Sequence, residues 1–187
     1  MKVMEKKHRE KYKNAVLYFA NNLNLYQLGS TKLAKLLYYL DFISYRDRKC
    51  SVTGTFYYKQ NFGPLAKDLV EIVGELVEEN KLDVKTREIP DGRETTDYNA
   101  LKSSNESVFD QYETMLLRKL VNKYGDWKTE QIVAKSHLEA PWAKTEGGGQ
   151  IDFKLSFDID DFDVGAEEEY KREDEETIMA IESQFTK

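Results

Sequence analysis

The sequence predicts an α+β fold: a mainly helical single domain with a central buried helix and small β-hairpins beside it. Three observations carry that expectation. Leu33, Leu36, Leu37, Leu40 and Ile43 recur at helical spacing while Tyr38, Tyr39, Phe42 and Tyr45 fill most of the remaining circumference, the pattern of a helix covered on all sides. Residues 52–59 are rich in β-branched and aromatic types, which favours a short strand. Farther along, Pro90-Asp91-Gly92 divides two alternating runs, 82–89 and 93–99, and reads as turn chemistry between the arms of a hairpin.

Taken in order, Tyr12, Ala15, Val16, Phe19, Ala20 and Leu23 repeat at three-and-four spacing and predict an amphipathic helix over 5–23, with 24–29 as its turn. Ser30 is placed to cap the central helix, 31–48, through its hydroxyl. The polar residues of that helix before its last turn are few, Lys32, Lys35, Asp41 and Ser44, and the basic Arg46, Arg48 and Lys49 suit the negative end of its dipole. Asn61-Phe62-Gly63-Pro64 is expected to lead straight into a third helix with Pro64 at the first helical position. That helix carries Leu65, Leu69, Ile72, Val73 and Leu76 and ends near Asn80. Gly74 inside it costs about 1 kcal/mol relative to alanine, so a close backbone contact is expected there.

Beyond the hairpin, Ser103 with Glu106 three residues on reads as the start of a long fourth helix through Phe109, Tyr112, Leu116 and Leu120 to a break at Gly125. A fifth helix covers 129–138, and Pro141 cannot continue it. Gly147-Gly148-Gly149 reads as a flexible joint, 151–159 as a short strand, and a final helix carries Tyr170, Ile178, Ile181 and Phe185 on one side. The domain core is assigned to residues 1–149, and the acidic strand and helix of 150–187 to the same domain.

At 187 residues the chain fits one domain. No apolar run approaches the roughly 20 residues needed to span a bilayer, and the charged N-terminus lacks the apolar core and cleavage site of a secretory signal. The single cysteine, Cys50, excludes an internal disulfide and fits a reducing, cytoplasmic setting. The net charge of −6 is unevenly spread: residues 158–176 hold eleven acids against Lys171 and Arg172, whereas residues 2–13 hold six lysines and arginines against Glu5 and Glu10. Such runs are ordinarily solvated faces; the sharper reading is that the acidic end meets a basic partner surface.

Catalytic and metal-binding chemistry finds little to work with. His8, His137 and Cys50 are the whole histidine and cysteine complement, which leaves no zinc constellation. His137-Leu138-Glu139 resembles half of a zinc deaminase signature, but the paired cysteines are absent. Asp158, Asp160, Asp161 and Asp163 fit no register of a calcium loop, and no Gly-Lys-Ser/Thr follows either glycine motif. One enzyme pattern survives literally: Pro90-Asp91 upstream of Asp152-Phe153-Lys154, as in nucleases where two acids hold Mg²⁺ and a lysine steadies the attacking water. Its bland reading is an aspartate in a turn. No cofactor, metal or catalytic residue is therefore expected, and the chain reads as a non-enzyme.

Asp41 is a carboxylate on an otherwise apolar helix. Burying it alone would be costly, so it either accepts hydrogen bonds from a tyrosine hydroxyl or backbone amide near the 54–64 loop or lies in a partner-binding groove. Ser136, His137, Pro141 and Trp142 have a similar double reading: a helix stop with a core tryptophan, or an exposed aromatic anchor.

These stretches carry a resemblance. Lys35-Leu36-Leu37-Tyr38 with Asp41, Thr53-Gly54 with Tyr57, Gly63-Pro64, and Ser136-His137 with Pro141-Trp142 resemble, in order and approximate spacing, the Panacea domain family, the SocA-like antitoxins also labelled phage-associated GepA-like proteins. The resemblance covers nearly the whole chain. It implies a mostly helical unit with minor β-structure that acts as the antitoxin of a two-gene toxin–antitoxin system, holding a cognate protein toxin encoded by the adjacent gene in an inactive complex. The alternative that it implies is a proteolytic adaptor that delivers the toxin to a cytoplasmic protease. Lys35, Tyr38, Asp41, Gly54, Tyr57, Gly63, Pro64, Ser136, His137, Pro141 and Trp142 would be the family's toxin-binding or structural positions. The acidic segment after Gly149 is where toxin specificity would lie. The competing class, a nucleic-acid regulator, rests only on the basic N-terminal run.

Overall fold

Helix α2 (Ser30–Arg48) is the element the other helices cover, and every residue from Lys32 to Ser44 is buried. The computed structural model describes residues 5–23, 28–88, 92 and 94–159. The fold is α+β and mainly helical, with two separate two-stranded antiparallel sheets. Helix α1 (Lys6–Asn22) packs against α2 and against α3 (Leu69–Glu78), while α4 (Gln111–Tyr124) and α5 (Thr129–Leu138) cover other sides of α2. Leu33, Leu36, Leu37, Leu40, Phe42 and Ile43 are fully buried, and each such side chain contributes about 1.5–3 kcal/mol. Among the described residues no helix is long and apolar enough to cross a membrane.

Strands β1 (Tyr57–Gln60) and β2 (Gly63–Ala66) form the first hairpin, with Gln60 opposite Gly63. Strands β3 (Leu82–Glu88) and β4 (Glu94–Ala100) form the second, from Leu82 opposite Ala100 to Glu88 opposite Glu94, in the place that the Pro-Asp-Gly turn predicts. A short helix α6 (Ala140–Ala143) follows α5, and a 3₁₀ turn, Phe153–Asp158, lies on α2, where Phe153 stacks 4.5 Å from Phe42.

Several local expectations are corrected. Gly29, not Ser30, is the N-cap of α2, and the Gly29 backbone bridges to Asp97. Residues 52–56 are not a strand, because the Val52 and Thr53 amides turn inward to Asp41. Pro64 lies in β2 and not at a helix start. Gly63, at φ 91°, closes a two-residue loop that reverses the chain, and a proline is tolerated on an edge strand. Helix α3 consequently begins only at Leu69. A Cβ at Gly74 would meet nothing within 4 Å, so the close contact expected there is absent among the described residues.

Ser103 and Glu106 do not start α4. Asn105 caps a 3₁₀ turn at Glu106–Val108, and the reciprocal capping box belongs to Asp110 and Glu113, both bonds 2.9 Å. Pro141 stands in the first turn of α6 rather than merely ending α5. Gly148 and Gly149 do not stand free as a joint: their amide and carbonyl bond Lys59 of β1 at 3.1 and 2.9 Å. Residues 151–159 form no strand, because buried Ile151 and Ile159 and the Phe153 stack fold them as the 3₁₀ turn. The 24–29 turn in part, Pro90-Asp91, and everything after Ile159, including the last predicted helix and most of the acidic run, lie outside the described residues.

Charge ties α1 to α3. Arg9 reaches Glu71 and Glu75, and Lys13 reaches Glu75 at 2.6 Å and Glu79 at 2.5 Å. Hydrogen bonds from Arg9 and Lys13 pull the Glu75 carboxyl from its ordinary 4.5 down to about 2. A carboxyl lowered on folding stabilises the fold above its ordinary pKa and loses that contribution as the pH falls through the folded one. Thermal stability should therefore fall between pH 4.5 and pH 2, and Glu75→Gln should flatten that fall in a melting series. The change should be modest, because the network is partly exposed and screened by solvent.

Candidate functional site

Asp41 is fully buried in the middle of α2, and the loop after the helix folds around it. Its Oδ1 accepts from the Val52 and Thr53 amides, both at 2.8 Å, and its Oδ2 accepts from the Thr53 hydroxyl. Tyr57 Oη lies 2.8 Å from Asp41 Oδ2 and 2.8 Å from the Leu37 carbonyl, so its one proton serves either acceptor. Burial pushes the Asp41 carboxyl up, and the donors from Thr53, Tyr57 and Val52 oppose that shift. Next to this cage Gly54 has φ 71°, and a Cβ there would stand 2.7 Å from His8 Cγ. The glycine makes room for the His8 imidazole, whose Nδ1 lies 3.1 Å from the Val52 carbonyl.

Nearly two turns earlier on α2, Lys35 is also buried. Its Nζ donates to the Pro64 carbonyl at 2.9 Å, and burial pulls its pKa down to about 7. Gly63 sits directly on this lysine and on α5: a Cβ there would come within 2.9 Å of Lys35 Nζ and 2.8 Å of Ser136 Oγ. Tyr38 donates to Glu139 Oε2 at 3.0 Å and its ring meets Tyr57 edge-on. Lys32 is fully buried too, donating to the Gly125 and Trp127 carbonyls at 2.7 and 2.6 Å, which anchors the end of α4. Burial takes its pKa to about 8.

The outer end of this assembly reaches the surface. His137 and Trp142 stack with ring centroids 3.9 Å apart, Trp142 Nε1 donates to the Gln60 carbonyl at 3.1 Å, and Lys59 Nζ lies 3.9 Å over the indole while donating to the Thr145 carbonyl. Burial, then the charges of Lys35 and Lys59, lower the His137 pKa. These contacts bring the β1–β2 loop beside the end of α5. Each carries a large exposed apolar side chain: Phe62 at 68% and Leu138 at 60%.

The motif residues thus divide by depth. Lys35, Tyr38, Asp41, Tyr57, Gly63, Pro64, Ser136 and Pro141 are buried, Gly54, His137 and Trp142 half-buried, and together they join α2, the 52–66 stretch and the α5–α6 corner. Glu139, Lys59, Phe62 and Leu138 belong to the same assembly and are not among the site residues that the sequence motifs suggest. Glu139 and Lys59 find their partners only across the fold, and an apolar residue in a turn or at a helix end is ordinary by itself.

Of the nuclease pattern, Asp91 lies outside the described residues, while Asp152 Oδ1 accepts from the Lys154 amide as the cap of the 3₁₀ turn. Among the described residues no group of three or more histidine, cysteine, aspartate or glutamate side chains could hold a metal ion. Residues 33–143, more than half of the chain, match the family described as "Antitoxin SocA-like, Panacea domain". No curated protein and no solved structure matches the chain.

Proposed function

The chain belongs to the SocA-like antitoxin family through its Panacea domain, which gives it a role related to toxin–antitoxin systems, and from that premise we propose that it neutralises a cognate protein toxin by direct binding, without turnover. The observation that carries this reading is the convergence of the motifs. The hydrogen bonds of Asp41 and Lys35 run to the chain's own backbone and hydroxyls, which suits a scaffold. What that scaffold holds outward is two apolar side chains, Phe62 and Leu138, on corners joined by the Trp142–Gln60 hydrogen bond and the His137–Trp142 stack. Exposed apolar side chains fixed in place are what an interface uses as anchors. The toxin is taken to be the product of the adjacent gene.

Co-expression with that neighbour should rescue growth, and the two proteins should co-purify. Phe62→Asp with Leu138→Asp should weaken the complex by about tenfold or more while leaving the melting temperature near that of the parent, because neither side chain is in the core. A harmless neighbour would sink the reading. Rescue without a stable complex would replace direct binding by delivery to a cytoplasmic protease.

A further inference from the structure

The two buried lysines of α2 are received differently. Lys32 Nζ donates to two carbonyls, Gly125 at 2.7 Å and Trp127 at 2.6 Å. Lys35, only 2% exposed, has one acceptor among the described residues, the Pro64 carbonyl at 2.9 Å. An ammonium carries three N–H donors and a neutral amine two, so the charged form leaves more of them unmatched and adds the cost of a charge in an apolar interior. The groups facing Lys35 do not compensate. His137 of α5 and Lys59 of β1 are of the same sign when charged, and Lys35 and Lys59 together lower the His137 pKa. On α2, Tyr38 is engaged with Glu139 and Asp41 with the 52–57 loop, while Glu139 at the α5–α6 corner has Tyr38 on Oε2 and Lys135 3.7 Å from Oε1. Strand β2 supplies no titratable side chain, and the Ser136 hydroxyl donates to the Val133 carbonyl at 2.8 Å.

What Lys35 holds is the return arm of the loop bearing Phe62: it bonds Pro64 and packs on Gly63, where a Cβ has no room between Lys35 and Ser136. We propose that Lys35 makes this corner respond to protons: charging its amine lets the Phe62 loop part from the α5 end bearing Leu138, where water then reaches the ammonium, and so weakens partner capture. The inference rests on the reading that Phe62 and Leu138 meet the partner, and it adds the regulation of that contact. In the closed corner the amine takes its proton only near 7, whereas with water at Nζ it keeps the proton up to its ordinary 10.5. The open form therefore carries more protons between these values, and the closed corner gains on it as the pH rises through that window.

Pulsed hydrogen exchange of the full chain from about pH 7 to about pH 9 is the test. Comparing the parent with Lys35→Met at each pH cancels the chemical pH dependence of exchange and the titration of Lys32 and His137, which both chains share. Protection of the 61–65 amides, taken relative to the variant, should rise in the parent by up to about tenfold per pH unit. Capture of the adjacent gene's product should strengthen by about threefold or more over the same range in the parent and stay flat in the variant. Lys35→Arg, charged throughout, should leave the loop poorly protected even at the highest pH. If Lys35→Met fails to fold, Lys35→Gln, neutral at every pH, takes its place. A protection ratio indifferent to pH overturns the proposal, as does the same pH dependence of capture in both chains. A neighbour that binds at no pH counts against direct toxin binding, and the exchange ratio, which needs no partner, still decides whether Lys35 gates the loop.

Discussion

Asp41→Ala should lower folding stability by about 3–5 kcal/mol, the range for removing one partner from a buried ionic or hydrogen-bonded cluster. The substitution does more than delete a side chain. It leaves the Val52 and Thr53 amides, which now donate to Oδ1 at 2.8 Å, without an acceptor inside the core. Hydroxyls can turn to other acceptors, and Tyr57 already has the Leu37 carbonyl at 2.8 Å, but a backbone amide cannot move without its chain. Each stranded donor costs about 1–3 kcal/mol. For a protein with a total stability of about 5–15 kcal/mol, such a loss removes a large share. Asp41→Asn keeps one oxygen for the two amides and should lose clearly less. Urea denaturation of the parent and both variants reads the difference as a shift in midpoint at constant slope. If alanine costs under about 1 kcal/mol, or asparagine costs as much as alanine, the cage does not hold the loop as described.

How much of this was legible in the sequence depends on the range of the interaction that decides each element. Helix α2 could be read because its apolar side chains occupy every face, and the β3–β4 hairpin because Pro90-Asp91-Gly92 is itself turn chemistry. The start of α4 was misplaced because two acid patterns, Ser103/Glu106 and Asp110/Glu113, satisfy the same capping rule and the apolar period does not separate them. Residues 52–66 were misread for a deeper reason. What bends 52–56 away from a strand is a carboxylate on another element, and what makes 63–66 a strand is a positive φ at Gly63. The buried lysines are the clearest case. A lysine on a helix is ordinarily solvated, and nothing near Lys32 or Lys35 in sequence announces the carbonyls of Gly125, Trp127 and Pro64 that receive them. Motif order therefore named residues that the fold brings together, while the contacts that join them became visible only with the fold.

Gly63→Ala should be the second large effect, a loss of about 2–5 kcal/mol accompanied by a loss of partner binding that exceeds it. Two costs add. At φ 91° any residue with a Cβ is strained by roughly 1–2 kcal/mol. The new methyl would also press on Lys35 Cε, Lys35 Nζ and Ser136 Oγ in a filled interior, where overpacking costs about 1–3 kcal/mol. Lys35 cannot swing away freely, because it is buried and its ammonium caps the Pro64 carbonyl. The same substitution at Gly74 has neither cost, since nothing lies within 4 Å and the φ is not positive, so it should raise stability by up to about 1 kcal/mol. Opposite signs for one chemical change would place the effect in the surroundings of each glycine. The functional part follows from what Gly63 joins. Forcing it off Ser136 moves the loop bearing Phe62 away from the α5 end bearing Leu138, and the Trp142 bond to Gln60 must lengthen or break. Partner capture measured well below the variant's melting point, where nearly all molecules are folded, should then still be weakened. Normal capture under those conditions would mean that the relative position of these two corners does not matter for binding.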